Sequence, residues 1–226
     1  MNTTAGRVIP QMEPWYGAEE REAIAAYMDS GGWGTEFTRT RDFEDLVARA
    51  VGSRYCLVTP NGTIALTLAL LGLGIGAGDE VIVPDYTMIA SATAVVLAGA
   101  TPVLVDIDPT TLCLDVPAIS AALTPRTRAV MIVSINGRSP DMGAISTLAH
   151  DKGIQIIEDA AQSLGCYHLG KHLGTFGIVG CFSFSIHKLV STGNGGAVIT
   201  NDEALYRTMQ RIKDFGRPRA ACGTPL

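Results

Sequence analysis

The sequence predicts an α/β protein in which helices flank a mostly parallel central sheet. From the middle of the chain onward, short strands rich in Val and Ile alternate with helices, and this alternation is typical of βαβ units. The strands lack the polar alternation of a half-exposed sheet, so we expect them to be buried on both faces. Apolar residues make up 47% of the 226 residues and charged residues only 17%. That composition supplies a large core and excludes an intrinsically disordered chain.

The predicted elements follow one another in a regular order. The strands are Tyr55–Thr59, Glu80–Pro84, Pro102–Asp106, Ala129–Ser134, Gln155–Glu158, Gly180–Phe184 and Ala197–Thr200. The helices between and after them are Thr63–Leu73, Met88–Ala98, Val116–Leu123, Asp141–Lys152 and Asp202–Lys213. The first 50 residues differ, because Glu19–Met28 and Thr40–Ala50 are polar segments that predict surface helices joined by a glycine-rich loop.

Local signals support these boundaries. Pro84 closes the β-branched strand EVIVP, because proline cannot continue a central strand. The apolar helix after Thr59 begins just behind an Asn-Gly-Thr corner. Asp202 precedes a charged amphipathic segment and is a typical helix start.

Charge and cysteine usage exclude several classes of protein. The chain has 17 basic and 22 acidic residues, a net charge of −5, which argues against nucleic-acid binding. Its five cysteines are odd in number and form no C-x-x-C pair, so we expect a reducing compartment and neither a disulfide framework nor a zinc site. Residues 55–78 and 86–105 carry no charge but are broken by Gly and Pro, which favours buried helix–strand pairs over membrane spans.

Three partial motifs do not support a cofactor or metal. GLGIGA at residues 72–77 follows a helix, whereas a dinucleotide fingerprint must follow a strand and open a helix. GCYHLGKH at residues 165–172 resembles a P-loop, but His172 stands where Ser or Thr should hold magnesium. His168 and His172 are four residues apart, yet Gly170 between them favours a hairpin over a metal-binding helix. We therefore expect no metal.

Two segments that follow strands are candidate binding elements, because open α/β sheets bind ligands at the carboxyl ends of their strands. Asn61-Gly62-Thr63 precedes a helix, whose free N–H groups and dipole attract a phosphate. An ordinary helix cap explains this corner equally well. The aromatic side chain of Tyr86, which follows the second strand, is able to stack flat on the ring of a ligand. The alternative interpretation is that Tyr86 packs in the core.

Two further segments supply chemistry at the same edge. Asp159 leaves a buried strand, and its carboxylate needs a cationic partner or several donors to stay charged, with helix capping as the alternative. Lys188 stands between an apolar strand and the glycine-rich run 191–196, where burial lowers the pKa of the amine and makes it a usable nucleophile. A phosphate seat, an aromatic ring, a carboxylate and a buried amine together are what pyridoxal phosphate (PLP) requires.

Several long strings carry a family resemblance. They include NGTIALTLALLGLGIGAGDEVIVPDYTMIASATAV, GATPVLVDIDP, IIEDAAQSLG, LGTFGIVGCFSFSIHK and STGNGGAVITND. On them the chain resembles the DegT/DnrJ/EryC1/StrS family of PLP-dependent sugar aminotransferases, and within it the perosamine synthases. The resemblance extends from about Ile9 to Arg219. It implies the large domain of the PLP-dependent transferase fold type I, a mostly parallel central sheet flanked by helices.

The resemblance implies roles around PLP. Lys188 forms the Schiff base with the cofactor and moves a proton during the reaction, and Asp159 pairs with the pyridine nitrogen. Tyr86 stacks on the ring, and Gln162 hydrogen-bonds near the ring hydroxyl. The residues that bind the phosphate are Gly62, Thr63 and Ser183.

The implied reaction moves an amino group from an amino acid, usually glutamate, to a nucleotide-linked keto-deoxysugar for polysaccharide or secondary-metabolite biosynthesis. The resemblance assigns Trp33, Gly34 and Thr35, in the loop Gly31–Glu36, to the substrate side. We also expect His187 on that side, although it stands where the family commonly has a small residue. It also implies a cytoplasmic homodimer with active sites at the subunit interface, and no nucleic-acid or membrane partner.

The resemblance suggests a domain plan and an alternative function. We expect residues 1–50 to form an N-terminal helical segment with the substrate loop, residues 51–216 the PLP-binding α/β large domain, and residues 217–226 an irregular tail. Family members continue into a smaller C-terminal domain, which AACGTPL at the end of this chain does not resemble. The alternative is therefore a truncated, non-catalytic family remnant that binds PLP or a partner subunit without turnover.

Overall fold

The computed structural model describes residue 13 and residues 15–32 and 38–217. The helices in this part of the chain are α1 Ala18–Asp29, α2 Thr38–Val51, α3 Gly62–Gly72, α4 Ala90–Leu97, α5 Val116–Ala122, α6 Met142–Lys152 and α7 Glu203–Lys213. The strands are β1 Tyr55–Thr59, β2 Glu80–Pro84, β3 Thr101–Val105, β4 Thr127–Val133, β5 Gln155–Asp159, β6 Tyr167–His168, β7 Lys171–His172, β8 Val179–Ser183 and β9 Gly196–Thr200. Every predicted strand and helix is present within a few residues of its predicted bounds.

Seven strands form one sheet in the order β1-β9-β8-β5-β4-β2-β3. All neighbours pair in parallel except β9, which is antiparallel to both β1 and β8. The predicted mostly parallel sheet is therefore confirmed. The exception has a local cause: β8 and β9 follow each other without an intervening helix, and a parallel pair needs a long crossover that is usually helical.

Both faces of the sheet are covered. Val81 and Val83 pack into a core with α3, α4 and α7, whereas Ile82 between them packs into a second core with α5 and α6. Because successive side chains of a strand point to opposite faces, this arrangement buries β2 completely. A third core joins α2 to β1, β8 and β9. The absence of polar alternation in the sequence is thus explained by helices on both sides.

The ends of two helices are fixed by side chains that the sequence singled out. The side chain of Asn61 accepts a hydrogen bond from the amide of Ile64 at 2.9 Å, so it caps α3. Asp202 caps α7 in the same way, by accepting from the amide of Leu205 at 2.9 Å. The strands β6 and β7 form the hairpin predicted around Gly170. Within the described ranges, no helix combines the length and apolarity that a bilayer crossing requires.

Candidate active site

A cavity of about 360 Å³ opens at the carboxyl ends of β1, β2, β4, β5 and β8. Four chain segments form most of its walls: the start of α3, the residues after β2, the end of β5 and the turn after β8; Val133 at the end of β4 adds to them. The four segments are those that the sequence selected as candidate binding elements. The parallel strands place all four at one edge, as expected for an open α/β sheet.

The start of α3 forms one wall and presents unused donors. The first backbone hydrogen bond of this helix runs from the amide of Ala65 to the carbonyl of Asn61 at 3.1 Å. The amides of Gly62 and Thr63 precede that bond, so they have no acceptor within the helix. Since Asn61 caps the amide of Ile64, the cap and the phosphate seat are compatible: the cap satisfies one donor and leaves two.

Two glycines allow this helix start to lie directly on the sheet. A Cβ atom at Gly62 would lie 2.9 Å from Cβ of Ser183, and one at Gly196 would lie 2.4 Å from the carbonyl carbon of Asn61. Both distances are shorter than any normal contact, so larger residues would push α3 away from β8 and β9. The hydroxyl of Ser183 has only 3.5 Å contacts with Ser185, and it is therefore available to an anion at the helix start.

Asp159 lies at the end of β5 with its carboxylate buried. Its Oδ2 accepts from the hydroxyl of Ser91 at 2.7 Å, and its Oδ1 accepts from the amide of Ala161 at 3.1 Å. Burial raises the pKa of Asp159, against the opposing effects of these hydrogen bonds and of the charge on Lys188. The carboxyl group is thus poised to stabilise a cation placed in the cavity.

Lys188 enters the cavity from a turn that follows β8. Its amide donates to the carbonyl of Ser185 at 2.9 Å, and the amide of Phe184 donates to the carbonyl of Gly195 at 2.7 Å, which closes the loop. Burial lowers the pKa of Lys188, although the charge on Asp159 acts in the opposite direction. A lower pKa increases the neutral, nucleophilic fraction of this amine, in the direction that the sequence predicted.

Gln162 also lines the cavity, and one end of its side chain is occupied. Its Oε1 accepts from the amide of Asn136 at 2.8 Å, in the turn that follows β4. Because the oxygen is used in this way, the side-chain NH₂ is the group left to donate to an acceptor inside the cavity.

The predicted site residues divide into three groups. Those that line the cavity are Gly62, Thr63, Asp159, Gln162, Ser183, His187 and Lys188. Tyr86 follows β2 and is half exposed, but the cavity wall there is made by Thr87 and Met88, so its stacking role stays a prediction. The substrate-side residues Trp33, Gly34 and Thr35 lie outside the described residues.

Sequence reasoning did not identify Ser91. This residue is fully buried in the first turn of α4 and bonds Asp159, which is 68 positions away. A serine near the start of the apolar helix ASATAVVL was the available signal, since a buried hydroxyl requires a partner.

The fold and the cavity bring together groups that suit a phosphorylated, nitrogen-containing ring able to react with an amine. The donors at the start of α3 suit the phosphate, and the buried carboxyl group suits a protonated ring nitrogen. The neutral fraction of the Lys188 amine suits attack on an aldehyde. These residues fit PLP.

Comparison with known proteins agrees with this class. The sequence pattern of the DegT/DnrJ/EryC1/StrS aminotransferase family matches residues 14–224, and the chain belongs to that family. It is 40% identical over 210 residues to GDP-perosamine synthase of Escherichia coli O157:H7, covering 93% of this chain and 58% of the relative. The predicted family and its perosamine synthase-like relatives are therefore confirmed.

Solved structures show the same fold. An aminotransferase from Psychrobacter cryohalolentis superposes with a TM-score of 0.88 at 39% identity, covering 95% of this chain and 56% of that one. A GDP-4-keto-6-deoxymannose-3-dehydratase with a trapped PLP-glutamate geminal diamine superposes with a TM-score of 0.84 at 28% identity, covering 93% and 56%. The chain spans about half the length of the curated relatives that it matches.

Proposed function

We propose that this chain forms the PLP-binding part of an aminotransferase that moves an amino group from glutamate to a nucleotide-linked keto-deoxysugar. The observation that carries the proposal is the meeting of Lys188 and Asp159 in one cavity with the free amides of α3. The substrate side rests on family membership and on relatives such as GDP-perosamine synthase.

Two residues would act on the reacting atoms. PLP, when bound, supplies an electron sink for the carbon that loses or gains a proton. Lys188 Nζ would hold the cofactor and then move the proton at the carbon that bears the amino group. Asp159 would keep a proton on the ring nitrogen, because a buried carboxylate is most stable beside a cation.

The other residues would orient the cofactor. The amides of Gly62 and Thr63 and the hydroxyl of Ser183 would bind the phosphate. The NH₂ group of Gln162, fixed by the bond between its Oε1 and Asn136, would donate to the ring hydroxyl. We assign Tyr86 to the ring face in the same proposal.

The substrate would approach from the open side of the cavity. His187 is exposed there, next to Lys188, and is the described residue that we assign to the sugar nucleotide. We assign Trp33, Gly34 and Thr35 to the same ligand. A cytoplasmic homodimer with active sites at the subunit interface completes the proposal.

The first test of this proposal determines which of the four lysines of the chain binds PLP. PLP added to the apoprotein should produce visible absorbance, and borohydride followed by mass spectrometry should locate the cofactor on Lys188. Lys188→Ala should abolish both signals. Lys152→Ala, at an exposed position on α6, is the matched control and should retain them. Folded wild-type protein without either signal would refute the proposal.

A second measurement separates binding from turnover. The PLP-loaded chain is incubated with glutamate and a nucleotide-linked 4-keto-6-deoxyhexose, and amino-sugar formation is followed by mass spectrometry. Conversion that Lys188→Ala abolishes would support an aminotransferase. Attachment of PLP without conversion would remove the catalytic part of the proposal and favour the non-catalytic alternative.

A further inference from the structure

Asp159 is the last member of a hydrogen-bonded network of three side chains. Its Oδ2 lies 2.7 Å from the hydroxyl of Ser91, and that hydroxyl lies 2.9 Å from Oγ1 of Thr87. Ser91 is fully buried, whereas Thr87 is partly exposed and lines the cavity. The hydrogen-bonded network therefore connects the cavity wall after β2 with the carboxyl group at the end of β5.

The direction of the hydrogen bonds depends on the charge of Asp159. An ionised carboxylate only accepts, so Ser91 must donate its single hydroxyl proton to Oδ2. The Ser91 oxygen is then left to accept, and Thr87 must be the donor in the second bond. A protonated Asp159 would allow the reverse direction, in which Thr87 turns its proton towards the cavity.

We propose that Ser91 and Thr87 are positioning residues that keep the Asp159 carboxylate ionised and aimed at the ring nitrogen of PLP. This inference rests on the proposed function, because it needs PLP in the cavity. A hydrogen bond from a neutral donor to a charged acceptor favours the charged form. Thr87 strengthens that effect by fixing the Ser91 proton in the direction of Asp159.

The other charged and titratable groups around Asp159 do not take over the role of this hydrogen-bonded network. Lys188 on the turn after β8 favours the ionised form, but it is also the amine that reacts. Glu158 on the same strand is engaged with the amides of Gly174 and Gly177. Cys181 on β8 is buried, and the two neighbouring carboxylates reinforce burial in raising its pKa, so its thiol stays neutral.

The carboxylate of Asp159 accepts a hydrogen bond from a second donor, and this donor limits the expected effect of changing Ser91. The amide of Ala161 holds Oδ1 at 3.1 Å, and it remains when Ser91 is changed. The loss of one of two donors should therefore weaken PLP binding without abolishing it. We expect about a tenfold rise in the dissociation constant for Ser91→Ala, in the range typical of one hydrogen bond to a charged group.

The experiment compares three variants with one control. Ser91→Ala and Thr87→Val remove the hydroxyls, whereas Thr87→Ser keeps the second hydroxyl and should restore the wild-type behaviour. Ser163→Ala is the control, since Ser163 is equally buried but bonds the carbonyl of Ala160 and is not part of the cavity wall. The readouts are PLP affinity of the apoprotein, by titration, and the pKa of the Asp159 carboxyl, by carbon-13 NMR.

The outcomes separate a positioning role from a structural one. The proposal expects a higher Asp159 pKa and weaker PLP binding in Ser91→Ala, a smaller change of the same kind in Thr87→Val, and neither in Ser163→Ala. Ser91→Ala that loses thermal stability while keeping the wild-type Asp159 pKa and PLP affinity would overturn it. If the wild-type chain binds no PLP, the proposed function fails. In that case an Asp159 pKa that is the same in apo Ser91→Ala as in the apo wild type would refute the hydrogen-bond argument independently.

Discussion

Gly196→Ala tests whether the contact between α3 and the sheet sets the phosphate seat. Gly196 is the first residue of β9 and pairs with both Thr59 and Ser183. Its φ angle is not positive, so alanine meets no backbone penalty there, and the whole effect of the substitution is steric. The added Cβ would meet the backbone of Asn61 and Gly62, which flexible side chains cannot relieve.

The size of the effect follows from the distances. The Cβ would lie 2.4 Å from the carbonyl carbon of Asn61 and 2.7 Å from the nitrogen of Gly62. Ordinary contact begins near 3.4 Å, so α3 must move by about 1 Å. Overpacking of this kind costs about 1–3 kcal/mol, and each kcal/mol lowers Tm by roughly 2–4 °C in a chain of this length. We therefore expect Tm to fall by about 2–12 °C. A 1 Å shift of the binding amides should weaken PLP binding by about ten- to a hundredfold.

Two assays measure this prediction: thermal unfolding of the apoprotein, and titration with PLP. Gly143→Ala is the matched control, because it lies in the first turn of α6 and its Cβ would meet only Oδ1 of Asp141 at 3.4 Å. This control should keep its PLP affinity and gain up to about 1 kcal/mol from the lower flexibility of alanine. Gly196→Ala with wild-type Tm and wild-type affinity would refute the argument. A lower Tm with unchanged affinity would show that the seat does not depend on this contact.

Two further predictions concern stability. Burial raises the folded-state pKa of Asp159, so its protonated form stabilises the apoprotein below the unfolded-state pKa near 4, and that stability is lost as pH rises through the folded-state value. Without PLP at pH 7, Asp159→Asn should therefore unfold at a higher temperature than the wild type. This difference in unfolding temperature should vanish near pH 4. A wild-type apoprotein that is more stable than the variant at both pH values would contradict the prediction. Asp202→Ala should cost about 1 kcal/mol by removing the cap of α7, whereas Asp202→Asn keeps an acceptor and should change Tm little, so equal losses in both variants would count against capping.

The sequence predicted most of the fold because its strands and helices differ in composition and length. The runs around Val81 and Ile132 could only be strands buried on both faces, and helices on both sides of the sheet explain them. The antiparallel placement of β9 was not predicted. Its pairing with β1 depends on which strands meet in space, because β1 is separated from β9 by more than a hundred residues.

The candidate site was predicted where its residues lie next to strand ends. Asn61 and Lys188 follow strands and Asp159 ends one, and parallel pairing brings such positions to one edge. The bond between Ser91 and Asp159 could not be predicted in this way, because it joins a helix to a distant strand. The choice between Tyr86 and its neighbours also depends on backbone direction after β2, and the composition of the segment does not encode that direction.

The position of β9 has a consequence for how the protein matures. Thr59 of β1 pairs with Gly196 of β9, and the 136 residues between them must be synthesised before the pair can form. At 5–20 residues per second this interval is roughly 7–27 s. During this interval β1 lacks β9, its neighbour in the sheet among the described residues, and the first turn of α3 lacks Gly196, against which it packs. The cavity is therefore completed only after β9 has been synthesised, and supplying PLP during translation should increase the yield of folded protein mainly by stabilising chains in which β9 has already paired with β1 and β8.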